Sequence, residues 1–193
     1  VEVVTAYADY EQLVGGVETL FKDSAGQVEG YANNAYKTAG MSANQYMNTV
    51  TGFSASLLQS LDGDTKAAAE KADMAITDMS DNANKMGKSI DSIQTAYQGF
   101  AKQNYTMLDN LKLGYGGTKE EMQRLLDDAT KLSGVKYDIS SYADIVDAIN
   151  VVQTEMGITG TTAKEASTTI EGSINSTKAA WSNLLTGFAN DEA

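Results

Sequence analysis

Apolar side chains at Ile76, Met79, Ala83, Met86, Ile90, Ile93, Tyr97 and Phe100 recur at alternating steps of three and four residues. A strand would need a period of two, whereas this spacing puts all eight on one face of a helix. Nothing in the chain breaks helices by force: its 193 residues include no Pro, the residue that removes a donor and clashes with the preceding turn. Helix ends are therefore left to glycines and polar caps. Gly87 and Gly99 interrupt the seam, each costing about 1 kcal/mol against Ala in a helix interior. Two helices, 64–86 and 89–102, follow from that, and a seam of this kind packs inside a bundle.

The same period runs through the rest of the chain. Leu13, Val14, Val17, Leu20 and Phe21 form one stripe, and Tyr46, Met47, Val50, Phe53, Leu57, Leu58 and Leu61 form a longer one read as a single helix. Ser42 with Gln45 gives that helix a capping-box start, and Gly63 stands where a glycine would stop it. Residues 103–117 lose the period and carry three glycines. They read as a long irregular connection, of a length that is uncommon and often functional, partly extended at Leu111–Leu113. Thr118 with Glu121 caps a helix whose face is Met122, Leu125, Leu126, Ala129 and Leu132, closed by Gly134. Val135–Ile139 is a short extended stretch that pairs at most minimally with Leu111–Leu113. Ser140 or Ser141 caps the next helix, with face Tyr142, Ile145, Val146, Ile149, Val152 and Met156, ended by Gly157 and Gly160. Thr162 with Glu165 repeats the capping pattern ahead of Ala166, Ile170, Ile174, Trp181, Leu184, Leu185 and Phe188, with Trp181 and Phe188 expected in a core. The expected fold is all-α: a compact bundle of seven or eight helices, at least roughly two-thirds helical against a base rate near one-third. It divides into an N-terminal helical half at 1–102 and a C-terminal half at 118–193, joined by 103–117 as one compact unit.

Composition narrows function before any motif does. Without His or Cys, the commonest proton-transfer group, thiolate nucleophiles and soft metal ligands are missing. A net charge of −12 with 14 scattered basic residues does not suit a phosphate backbone or an anionic membrane surface. No apolar run approaches the roughly 18 residues of a membrane span. The start at Val1 without a Met suggests a piece of a longer protein.

Short motif matches do not survive inspection of their spacing. Gly114-Tyr115-Gly116-Gly117-Thr118-Lys119 precedes a helix, as phosphate loops do, but Thr precedes Lys and no apolar strand leads in. Ser133 with Lys136 matches S-x-x-K and Ser80-Asp81-Asn82 matches S-D-N, yet their order is reversed and Ser80 falls mid-helix. Asp62-Gly63-Asp64 supplies neither the third ligand nor the sixth-position glycine of a calcium loop, and Asp127-Asp128 suits a solvated face. The methionines at 41, 47, 74, 79, 86, 107, 122 and 156 fall mostly on apolar stripes, as adaptable core filler does. No catalytic, cofactor-binding or metal-ligating residue is assigned, no cofactor is expected, and the residue inventory points away from an enzyme.

One stretch is more particular than helix propensity requires: YQGFAKQNYTMLDNLKLGYGGTKEEMQRLLDDATKLSG at 97–134. It resembles the tape measure proteins of tailed phages and of prophages in Gram-positive bacteria. The resemblance runs upstream through SANQYMNTVTGFSASLLQSL (42–61) and KADMAITDMSDNANKMG (71–87), and downstream through YDISSYADIVDAI (137–149) and GITGTTAKEAS…KAAW (157–181). It covers nearly the whole chain; the flanks 1–12 and 186–193 are the least similar. The resemblance implies a structural protein of the virion, made in the host cytoplasm and held inside the tail tube or at the tail tip. Its implied partners are the tube lumen, tail assembly chaperones and baseplate or tip proteins, with a homo-oligomer, threefold by family habit, and no nucleic-acid binding of its own. Such proteins set tail length and leave with the DNA at infection. A ruler would be one continuous helix rising about 1.5 Å per residue, whereas glycines interrupt this chain at short intervals. A compact helical domain within a longer tape measure protein is the reading that satisfies both. The competing class is a secreted or surface helical binding module sharing only helix bias.

Overall fold

The computed structural model describes residues 2–168 and Asn183. Nine α-helical segments follow one another among them: α1 Glu2–Phe21, α2 Ala25–Thr38, α3 Ala43–Thr51, α4 Ser54–Ser60, α5 Thr65–Met86, α6 Ile90–Ala101, α7 Lys119–Ser133, α8 Tyr142–Glu155 and α9 Thr161–Thr168. Short 3-10 turns sit at Lys22–Ser24 and Leu108–Leu111, and no strand occurs among the described residues. The expected all-α bundle is therefore present, with α3 and α4 together occupying the single helix read from 46 to 61.

α5 is the axis of the fold. Its start and end are set locally: the Asp64 side chain accepts from Ala67 N, and Gly87 takes a left-handed φ of 70° that lets its N–H cap Ala83 O. Ser89 then caps α6 by accepting from Ser92 N. The boundaries inferred from the seam, 64–86 and 89–102, thus fall within a residue or so of α5 and α6. Gly99 does not break α6; the Asn104 N–H returns to the Gly99 carbonyl at 2.9 Å, and the exit turn folds over the glycine. Ala68, Ala69, Ala72 and Ala75 are buried along α5, so neighbouring helices approach its backbone closely. It packs against α1, α2, α3, α4, α6, α8 and α9.

One contiguous apolar cluster runs from Val17 to Ile158 and draws on every helix from α1 to α8. Ile76, Met79, Ile93, Tyr97 and Phe100 of the seam are fully buried in it, whereas Ala83, Met86 and Ile90 are partly covered. Val17 and Phe21 carry the α1 stripe; Met122, Leu125, Leu126 and Ala129 of α7 meet Tyr142, Ile145, Val146 and Ile149 of α8 across an antiparallel hairpin.

Four expectations are corrected. The helix read from 46 to 61 breaks at Gly52-Phe53, where Phe53 leaves helical geometry at φ −135° and a Cβ on Gly52 would stand 2.9 Å from the Gln98 amide of α6. Leu111–Leu113 and Val135–Ile139 form no extended pair; Leu111 ends a 3-10 turn and Lys112 is left-handed at φ 53°. Leu132 and Met156 are exposed, at 48% and 46%, Leu132 in the last turn of α7 and Met156 as the C-cap of α8. Thr162 does not cap a helix, as α9 already begins at Thr161. The stripe at Ile170, Ile174, Trp181, Leu184, Leu185 and Phe188 lies outside the described residues.

A buried carboxylate junction and a fastened glycine loop

Two polar constructions stand out against the apolar core. The first is on α5. Asp78 and Asp81, one helical turn apart, are both completely buried. The two Asp78 oxygens accept from Asn150 Nδ2 of α8 at 3.1 and 3.0 Å, and one also accepts from Thr159 Oγ1 at 2.9 Å. Asp81 accepts from two backbone N–H groups at the start of α9, Gly160 N at 2.7 Å and Thr162 N at 3.0 Å. It thus does from 79 and more residues away what an N-cap side chain does locally, and its charge lies at the positive end of the helix dipole. Asn84 Nδ2 donates to Thr162 Oγ1 at 2.8 Å, which is why Thr162 serves as an anchor and not as the expected cap.

Next to the carboxylates lies an amide relay. Gln153 Nε2 donates to Asp78 O at 3.1 Å, and its Oε1 accepts from Asn82 Nδ2 at 2.8 Å, which also reaches Leu111 O at 3.0 Å. One side-chain pair therefore ties α5 to α8 and to the 103–117 connection. Tyr142 Oη donates to Tyr97 O at 2.9 Å, while Tyr97 Oη and Asn82 Oδ1 are buried with no hydrogen-bond partner. Burial pushes the Asp78 carboxyl up to about 7, against the hydrogen bonds from Asn150 and Thr159 that favour its ionised form. Burial likewise raises the Tyr97 hydroxyl well above the ordinary phenol range, helped by the nearby charge of Asp78.

The second construction is the glycine run of the long connection. Gly117 passes so close to Thr106 that a Cβ on it would sit 2.2 Å from the Thr106 carbonyl oxygen, a contact only glycine permits. Tyr115 Oη donates to Asp128 at 2.6 Å, and the Arg124 guanidinium lies over the Tyr115 ring, 4.3 Å from its centre. Arg124 also donates to both Glu121 oxygens, at 2.6 and 3.0 Å, and to Gly114 O at 2.7 Å. Glu121 accepts from Gly116 N at 3.0 Å in addition to Arg124, and these hydrogen bonds pull its carboxyl down to about 2. Thr118 Oγ1 accepts from Glu121 N, but the Glu121 side chain returns to Gly116 instead of completing a capping box. Tyr115 and Thr118 of the run that resembles a phosphate cradle are thus engaged with helix α7.

The remaining weighed residues are accounted for in the same terms. Ser80 donates to Ala39 O in the interior, Ser133 donates to Ala129 O, and Asp64 caps α5. Asp127 accepts from Gln123 Nε2 while its neighbour Asp128 holds Tyr115, so the two carboxylates face different partners. A shallow groove between α1 and α3 is lined by Asp9, Gln12, Asn44, Asn48 and Thr51. Among the described residues no group of three or more Asp and Glu side chains converges as a metal shell would. What sequence reasoning missed is the junction: Asp81 appears in it only as the middle residue of a chance S-D-N match, and Asp78 only within the quoted stretch 71–87. The available signal was a pair of acids three apart in mid-helix, next to seam residues, with amides at the same three-residue spacing in Asn150 and Gln153. Comparison with protein families, curated proteins and solved structures found no match.

Proposed function

We propose that this chain is a compact helical segment of a phage tail tape measure protein, with a structural role in tail assembly. The observation that carries the reading is where the resembling residues fall. The stretch at 42–61 is α3 and α4, 71–87 lies in α5 and its glycine stop, 97–134 spans the end of α6, the fastened loop and α7, and 137–149 leads into α8. The resembling stretches thus overlap the packed core and its two polar constructions, and that overlap is what supports the reading. α5, the longest described helix, has 22 residues, or about 33 Å at 1.5 Å per residue, which suits a folded module within the tape measure protein better than the measuring rod. No described helix is long and apolar enough to cross a membrane. On this reading the module acts inside the tail tube or at its tip, is handled by assembly chaperones, docks on baseplate or tip proteins as a homo-oligomer, threefold by family habit, and leaves with the DNA at infection.

An in-frame deletion of residues 1–193 from the parent gene tests it by electron microscopy of the resulting particles. A folded assembly module predicts lost tails or tails of irregular length. Uniform tails shortened by about 290 Å, the helical rise of 193 residues, would assign these residues to the ruler instead. Absence of the chain's peptides from purified wild-type particles would remove the tail reading altogether.

A further inference from the structure

We propose that the Asp62–Gly63 peptide, at the corner between α4 and α5, is a backbone modification site. Asp62 cyclises there onto the Gly63 nitrogen and reopens as isoaspartate, at a rate set by release of the Gly63 N–H from Leu58 O. The inference does not depend on the tail reading.

The chemistry needs a carboxyl one residue ahead of an unhindered peptide nitrogen. Asp62 is the one Asp of the chain that is followed by Gly, and no Asn is followed by Gly. The Gly63 nitrogen attacks Asp62 Cγ: the N–Cγ bond forms, and a carboxyl oxygen leaves as water with the amide hydrogen. Water then adds to the cyclic imide. Addition at Cγ restores Asp, whereas addition at the main-chain carbonyl breaks the original Asp62–Gly63 bond and leaves the chain running through Cγ. No atom is gained or lost overall, and water is the one co-reactant.

The corner presents both groups. Asp62 and Gly63 are exposed and left-handed, with φ of 54° and 78°, and no atom lies within 4 Å of where a Gly63 Cβ would be. The Asp62 carboxylate takes part in no hydrogen bond or ion pair among the described residues. What restrains the nitrogen is its own bond, Gly63 N to Leu58 O at 2.9 Å. That bond closes the end of α4, a helix of 7 residues, and short helix ends open locally without the core. Attack requires the nitrogen to leave Leu58 O and turn toward the Asp62 carboxyl.

The position gives the event reach. Asp64, two residues on, is the N-cap of α5 and accepts from Ala67 N. Ser60, two residues back, accepts from Ala143 N at 3.1 Å in the first turn of α8. An extra main-chain methylene at 62 lies between these two fastenings, so one rearrangement loosens the starts of both α5 and α8.

The full chain, warmed at neutral pH and then digested for mass spectrometry with enzymatic methylation of isoaspartyl groups, tests this. Isoaspartate should accumulate at Asp62 several-fold above every other aspartate of residues 2–168. Denaturing the chain in guanidinium should speed the reaction by about tenfold or more, as the Leu58 bond is lost. Asp62→Glu, whose ring would be one member larger, should abolish the signal, while Asp62→Asn should convert to Asp and isoaspartate through the same imide as ammonia leaves. In the aged wild type, hydrogen exchange should quicken at 65–68 and 143–145 and stay unchanged in α7. Isoaspartate at Asp62 in the denatured chain but none in the folded one would overturn the proposal, as would equal accumulation at several aspartates or an Asp62→Asn chain that keeps its amide.

Discussion

The long connection at 103–117 and the short one at 157–160 are held in opposite ways. The long one is fastened by residues close to it in sequence: Arg124, Glu121 and Asp128 of the helix it leads into, and Thr106 within the loop itself. These groups are half-buried or exposed and include a cation. The short one is fastened by Asp78 and Asp81 from 79 to 81 residues away, completely buried, through neutral donors. An exposed carboxylate paired with Arg124 is held below its ordinary range, while a buried one that accepts from neutral donors is held above it. The two connections should therefore respond to pH with opposite sign, and that contrast can be broken at either end.

The largest effect belongs to Asp78. Its folded-state value, about 7, lies above the unfolded value of 3.8, so the native state binds the extra proton and Asp78 favours folding below pH 4. That contribution is lost as pH rises from about 4 through 7. At about 1.36 kcal/mol per unit the loss approaches roughly 4 kcal/mol as an upper bound. Urea unfolding of the wild type and Asp78→Asn at pH 4, 5.5 and 7 measures it: the wild type should lose stability relative to the variant across the window. A difference that stays constant from pH 4 to 8 would mean that Asp78 is solvated in a way the buried geometry denies.

Gly117→Ala attacks the other connection. The new methyl would need the Thr106 carbonyl to retreat from 2.2 Å, and backbone yields less readily than a side chain. Overpacking costs about 1–3 kcal/mol, and the upper end is expected here, seen as a fall in Tm. Gly114→Ala, where open space surrounds the site but φ is 94°, separates the close approach from simple backbone strain.

How far the sequence could be read follows from the same contrast. Cap residues and αL glycines act within four residues, so Ser42, Thr118, Ser141, Gly87 and Gly134 mark their helix ends as read. The break at Gly52-Phe53 is not legible in the local sequence; the side chains that crowd Gly52 there, Gln94 and Gln98, come from α6. Thr162 looked like a cap for the same reason: its sequence neighbours fit the pattern, but Asp81 and Asn84 had already taken the role. Period and spacing reveal which face of α5 is apolar, yet they do not say that its polar flank is also buried or which helix supplies the partners. Ser141→Ala checks the local part of this lesson. It removes only the bond from Asp144 N at 3.3 Å and should cost about 1 kcal/mol, independent of pH between 6 and 9. A much larger loss would show the α8 cap to be tied into the junction.

The smallest effect is expected at Glu121, and its sign matters more than its size. Its carboxyl is pulled down to about 2 from 4.5, first by the side-chain hydrogen bond with Arg124 and then by the N–H of Gly116. A lowered native value means that the contribution to folding is present above the unfolded value and is lost as pH falls from about 4.5 through 2. The group is solvent-exposed, so screening keeps the effect slight and sensitive to salt. Glu121→Gln should match the wild type near pH 2, fall modestly below it above pH 5 in low salt, and approach it again in 1 M NaCl. Asp78→Asn should show the reverse trend with pH and, being buried, little response to salt. If both variants drift in the same direction with pH, the opposition between an ion-paired loop and a buried carboxylate junction fails, and the net charge of −12 becomes the simpler account of the pH dependence.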